Sequence, residues 1–248
     1  MRNIKLTIEY DGSRYQGWQR LGKNESGQTI HQKLSEVLEK FIGKPVEINC
    51  GHRTETGVHA YAQVANFKTD AAHSCREIKQ YLNRYLPMDI AVLSAEDMPE
   101  RFHASLNAVS RTYTYHILIG DVPSVFDRKY AYYAFQKPDI TLMKQAAACF
   151  VGKHDFFNLS SGKKKKGTEK EIYEIDIYGN SSEILITICA NDFLHNMARL
   201  IIGFLLDVGL GKRKLEDVNL IMNSTSTLEL TVIPADPKGL FLQEITYK

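Results

Sequence analysis

The stretch "GHRTETGVH", Gly51 to His59, packs Arg53, Glu55 and His59 into nine residues that begin with one glycine and nearly end with another. A connector that only reversed the chain would be satisfied by Gly, Asn, Asp or Pro, so a guanidinium, a carboxylate and two imidazoles point to a site. An arginine beside a carboxylate keeps it ionised at neutral pH, which suits a nucleophile or a general base. An Arg–Glu pair that merely pins the turn fits these residues equally well. His52, Glu55 and His59 are also ordinary zinc-ligand types, but Gly57 breaks any helix that would align them and Arg53 would repel a cation.

Three further stretches carry chemistry-bearing residues. Tyr113 and Tyr115 are two apart in a strand-like run, so they share a face that either joins the core or stacks on bases. Lys163, Lys164, Lys165 and Lys166 form a run that grips phosphates or lies solvated in a loop. In "NDFLHNMARLIIG" the spacing predicts a helix with Phe193, Met197, Leu200 and Phe204 inward. His195 and Arg199 then share another face at i, i+4, from which Arg199 reaches a phosphate or an acidic partner. No GxGxxG, P-loop, HExxH or GxSxG signature is present.

The elements that must position these residues are legible in outline. "IKLTIEY" alternates as a strand, and "DGSRYQGW" follows as a loop. Residues from Ile30 read as a helix, with Thr29 and Gln32 as a capping box and Gly43 and Pro45 as the stop. "VEINC" and "AQVANF" are strands on either side of the Glu55 loop. Ser74 and Glu77 cap a second helix, and "IAVLSAE" is a further strand, giving β-α-β-β-α-β, the order of a ferredoxin-like unit. The second part nearly repeats it: strands "RTYTYHILI" and "KYAYYAF", a helix from about Thr141, strands "EIYEIDIY" and "EILITICA", a helix from Asn191 to Val208, a short helix near Leu215 and a last strand "LFLQEITY". The reading is α+β, with residues 1–104 as the half carrying the Glu55 loop and 105–248 as the half carrying Tyr113 and Arg199.

Composition narrows the class without naming a function. With 248 residues, 44% hydrophobic and 24% charged, the chain can bury a sizeable core. A net charge of +2 permits RNA without requiring it. Four scattered cysteines with no CxxC pair argue for reduced thiols and a cytoplasmic address. The longest apolar run, "LIIGFLL", is too short to span a bilayer.

Five stretches in order, "YDGSRYQGWQ", "RTETGVHAYAQVANF", "RFHASLNAVSRTYTY", "GKHDF" and "NDFLHNMARLIIG", with the later segment "IPADPKGLFL", resemble the tRNA pseudouridine synthase A family. The resemblance covers nearly the whole chain. It implies two ferredoxin-like halves joined in one mixed, mainly antiparallel sheet, a basic RNA-binding cleft, and a homodimer that acts on tRNA without cofactor or metal. It further implies that Glu55 stands at the catalytic carboxylate position, Arg53 at its paired arginine, Tyr113 at the base-stacking tyrosine and Arg199 at a further active-site arginine. Arg14, Arg20, His59 and Lys163 to Lys166 are the expected RNA contacts. The family's chemistry, which the resemblance implies for uridines of the anticodon stem and loop, cleaves the uracil N-glycosidic bond, turns the base and rejoins it through C5. The chain departs from the family in carrying Glu55 for aspartate, His52 for glycine, Thr56 for what is usually alanine and Ser105 for arginine, which keeps open the alternative of a catalytically impaired RNA-binding protein of the same fold.

Overall fold

The computed structural model describes residues 1–19, 28–161, 166–223 and 231–248. The chain divides into two compact units, Met1–Val109 with Phe241–Lys248, and Ser110–Leu240. The boundary expected at 104/105 therefore lies five residues later, and the last strand returns to the first unit.

In the first unit, β1 (Arg2–Tyr10) lies between β3 (His59–Thr69) and β4 (Ile90–Met98), antiparallel to both. Ile4, Leu6 and Ile8 are fully buried, as their alternation requires. β2 (Ile48–Cys50) adds to β3 antiparallel, and β10 (Leu240–Tyr247) adds parallel, with Phe241 opposite His59. The middle of β3, Gln63 to Phe67, is buried on both faces, so it is a central strand rather than a half-buried one.

Helix α1 (Ile30–Ile42) starts where the Thr29 hydroxyl accepts from Gln32 N and stops at Gly43, whose φ of 81° is cheap only for glycine. The Gln32 side chain turns to Glu36 instead of completing the expected capping box. Helix α2 (Cys75–Tyr85) does have the reciprocal box: Ser74 Oγ accepts from Glu77 N and Glu77 accepts from Ser74 N. Behind the sheet, Asn66 Nδ2 donates to Asn3 Oδ1 and Asn66 Oδ1 accepts from Ala104 N. These amides tie the "RFHA" segment to two central strands.

The second unit is built on β5 (Ala108–Ile119), β9 (Glu183–Ala190), β8 (Glu169–Gly179) and β7 (Gly152–Asp155), each antiparallel to the next. β6 (Tyr132–Ala134) pairs parallel with β5, so only three residues of the expected strand "KYAYYAF" are strand. The helices are α3 (Ile140–Ala148), α4 (Met197–Gly209) and α5 (Asp217–Asn223). The class is α+β with a mixed, mainly antiparallel sheet pattern, as expected. β7 is additional to the sequence reading, because four residues of "GKHD" are too few to show a period.

The helix expected from Asn191 begins six residues late. Asn191 N donates to Glu171 O, the His195 carbonyl accepts from Ser161 N, and Asn196 sits at φ 62°. Backbone groups pledged outside the segment, with a left-handed residue behind them, stop a helix from extending backwards. His195 therefore lies in a turn, and the expected i, i+4 face with Arg199 does not form. No helix among the described residues is long and apolar enough to cross a membrane.

Candidate active site

The Glu55 loop leaves β2 and enters β3, and its shape is set by what grips its backbone. Val58 N donates to the Glu55 carbonyl at 3.2 Å, closing a four-residue turn whose third residue, Gly57, has φ 78°. Trp18 N donates to the Thr54 carbonyl at 3.1 Å, and Gly57 N donates to the Tyr15 carbonyl at 3.2 Å. The "DGSRYQGW" loop thus lies directly on the Glu55 loop. Its two glycines are required by that closeness: a Cβ on Gly17 would meet Thr54 O at 2.4 Å, and one on Gly12 would meet Val58 O at 2.0 Å.

Beneath the loop is a buried polar network. The Tyr10 hydroxyl and Thr54 Oγ1 are 2.7 Å apart. Gln63, 0% exposed, donates from Nε2 to the His52 carbonyl (2.6 Å) and to the Tyr10 hydroxyl (3.4 Å), while its Oε1 accepts from His52 N and Val64 N. All four hydrogen-bonding positions of this amide are filled. Burial pushes the Tyr10 hydroxyl pKa well up, opposed by its bonds to Thr54 and Gln63, and the Glu55 charge is near enough to add to the rise. Tyr10 is therefore neutral across the physiological range.

Glu55 itself is half-buried, and Arg53 is exposed. The Arg53 charge helps to lower the pKa of His31, for which burial is the larger cause. His59, expected at the RNA, is 1% exposed: its Nδ1 accepts from Gly12 N at 3.0 Å and its ring stacks on Phe241 at 4.6 Å. An imidazole whose Nδ1 takes a backbone proton ties the loop after β1 to the start of β3. The same bond weighs against the metal reading, and no group of three His, Cys, Asp or Glu among the described residues is placed to hold a metal.

In the second unit Tyr113 and Tyr115 share one face of β5, a strand buried on both faces here, with Tyr113 edge-on to Phe193 at 5.1 Å and the Tyr115 hydroxyl donating to Asp236 O. Arg199 on α4 donates from Nε to Ala235 O (2.7 Å) and from NH1 to Asn196 Oδ1 (3.1 Å), while its own carbonyl accepts from Ala235 N (2.9 Å). It clamps the "IPADPKG" segment to the helix. Arg111, two residues before Tyr113 on the same face, is buried and donates to Asn191 O. Asp192, which also accepts from Lys170 at 2.8 Å, lies beside it.

Of the other expected RNA contacts, Arg14 is exposed and paired with Asp89, and Lys166 is exposed. Arg20, Lys163, Lys164 and Lys165 lie outside the described residues. The sequence reading passed over Tyr10, Gln63 and Arg111. The available signal was a polar residue inside a strand: glutamine within "AQVANF", arginine at the head of the "RTYTY" alternation.

The family described as tRNA pseudouridine synthase matches residues 6–106 and 146–248. The chain belongs to this family. It is 43% identical over its full length to tRNA pseudouridine synthase A of Bacillus sp. (strain KSM-64), 40% identical to tRNA pseudouridine synthase A 2 of Bacillus anthracis and 41% identical to the protein of that name from Clostridium perfringens (strain 13 / Type A). In each case the match spans 100% of both chains.

Proposed function

We propose that the chain isomerises uridine to pseudouridine in the anticodon stem-loop of tRNA, with Glu55 as the carboxylate that carries the chemistry. The observation that supports Glu55 most is the loop around it: an acid on a turn held by backbone bonds from Tyr15 and Trp18, with a saturated polar network below. Catalytic groups need that fixity, because a displacement of ~1 Å can cost about 100-fold in rate.

The reaction is redox-neutral. The N1–C1′ bond of uridine breaks, C5–C1′ forms, the C5 proton leaves and a proton ends on N1, so neither oxidant nor reductant enters. A carboxylate serves glycosidic cleavage as nucleophile or base, while Arg53 favours its ionised form. Tyr113 is assigned to stack on the uracil and Arg199 to meet a phosphate through its remaining N–H groups. Arg14, Arg20 and Lys163 to Lys166 are assigned to the tRNA backbone. A homodimer in the cytoplasm, the state implied by the resemblance, belongs to the same proposal.

The test is single-turnover pseudouridine formation on unmodified tRNA. Wild-type protein should turn over, and Glu55→Gln, which keeps the shape and loses the charge, should abolish formation while binding tRNA nearly as well. Full-rate turnover by Glu55→Gln would remove Glu55 from the chemistry, and an inactive wild type that still binds tRNA would leave a binding protein.

A further inference from the structure

We infer that Tyr10, Thr54 and Gln63 form a positioning relay that sets the placement of Glu55, so that the buried hydroxyl of Tyr10 controls the chemical step without touching substrate. The inference rests on Glu55 as the working acid. Thr54 is the residue immediately before Glu55, and it is held at both ends: its carbonyl by Trp18 N at 3.1 Å, its hydroxyl by Tyr10 at 2.7 Å. The Tyr10 hydroxyl in turn accepts from Gln63 Nε2, and the same nitrogen donates to the His52 carbonyl on the other side of Arg53. One amide on a central strand thereby fixes residues 52 and 54 together, and the chain direction at 55 follows from them.

Two further observations point to function rather than to packing alone. Thr54 is buried while Thr56, two residues on, is exposed, so the hydroxyl that enters the network is the one adjoining the acid. Tyr10 also lies near enough to Glu55 for that charge to act on its hydroxyl. A purely structural strand residue at the end of β1 would be served by Phe, which fills the same volume with no polar atom to satisfy. Here the hydroxyl is present, buried, and spent on the catalytic loop.

The relay predicts a particular kinetic signature. Tyr10→Phe and Thr54→Val each remove the shared bond while preserving volume, and each should lower kcat about 10- to 100-fold, with KM for tRNA and tRNA affinity within about twofold of wild type. The double variant should be no slower than the slower single one, because both delete the Tyr10–Thr54 bond and Tyr10→Phe already removes the contact from Gln63 as well. Thr54→Ser keeps the hydroxyl and should recover most of the lost rate. Single-turnover rates, tRNA binding and thermal melting of wild type, these four variants and Glu55→Gln decide the matter. Wild-type kcat in folded Tyr10→Phe and Thr54→Val, with Glu55→Gln inactive, would overturn the relay and leave the Glu55 assignment standing. Equal losses in Thr54→Ser and Thr54→Val that track the melting temperature would reduce the three residues to packing and also overturn it. An inactive wild type, or full turnover in Glu55→Gln, would overturn both proposals.

Discussion

At the scale of the residue, the open issue is a carboxylate one methylene longer than the acid implied by the family resemblance. The Glu55 backbone has little room to adapt, since Gly17 already stands so close that a Cβ there would be 3.0 Å from the Glu55 carbonyl carbon. Glu55→Asp should therefore withdraw the carboxylate by about the length of a C–C bond and lower kcat roughly 10- to 100-fold, read by single-turnover assay, with tRNA affinity unchanged. A rate equal to or above wild type would mean that the loop is built for the shorter acid. The candidacy of this acid is legible in the sequence because charged residues are out of place in a glycine-bounded turn. The roles of Gln63 and Tyr10 are not, because a buried polar side chain declares itself only through partners far away in sequence, here 53 residues apart. The burial of His59 is hidden for the same reason: nothing local reveals that a backbone N–H from Gly12 occupies its ring nitrogen.

Elements show the same contrast between local and distant causes. Strands β1, β3 and β9 and helices α1 and α2 are readable from period and caps alone. The start of α4 is not, because the backbone of 191–195 is bonded to residues 161 and 171, and no helical periodicity carries that information. Two glycines test this point. In an ordinary helix, Gly→Ala stabilises by up to about 1 kcal/mol. In α4, a Cβ on Gly203 would lie 2.1 Å from the Ile233 carbonyl, so Gly203→Ala should instead lower the melting temperature and free the "IPADPKG" segment, seen as faster amide exchange at Ala235. Gly12→Ala, with 2.0 Å to Val58 O, should lower the melting temperature and kcat together, since it pushes on the Glu55 loop itself.

For the whole molecule, charge and titration set the working range. A net charge of +2 is small, so tRNA affinity must come from local clusters, and replacing Lys163 to Lys166 with Ala should weaken binding to all tRNAs and flatten its salt dependence, measured by titration across ionic strength. Burial lowers the pKa of His31 and His116 from the ordinary 6.5, so below that pH the unfolded chain takes up protons that the folded chain resists, and stability falls as the medium is acidified. Burial raises Tyr10 and Tyr115 above the ordinary 10.0, so their contribution is complete below pH 10 and is lost as the pH climbs towards the folded values. Melting temperature against pH should accordingly show a plateau that declines at both ends.

The return of β10 to the first unit has a consequence for how the protein is made. A ribosome delivers residues 1–109 first, yet their sheet lacks a neighbour along β3, and the ring that stacks between His59 and Tyr61 is missing until Phe241 emerges. The first unit is thus the first synthesised and the last finished, waiting with an open strand edge through translation of the entire second unit. Nascent chains stalled before Leu240 should be cut by protease around His59 to Tyr61, and chains carried through Lys248 should resist.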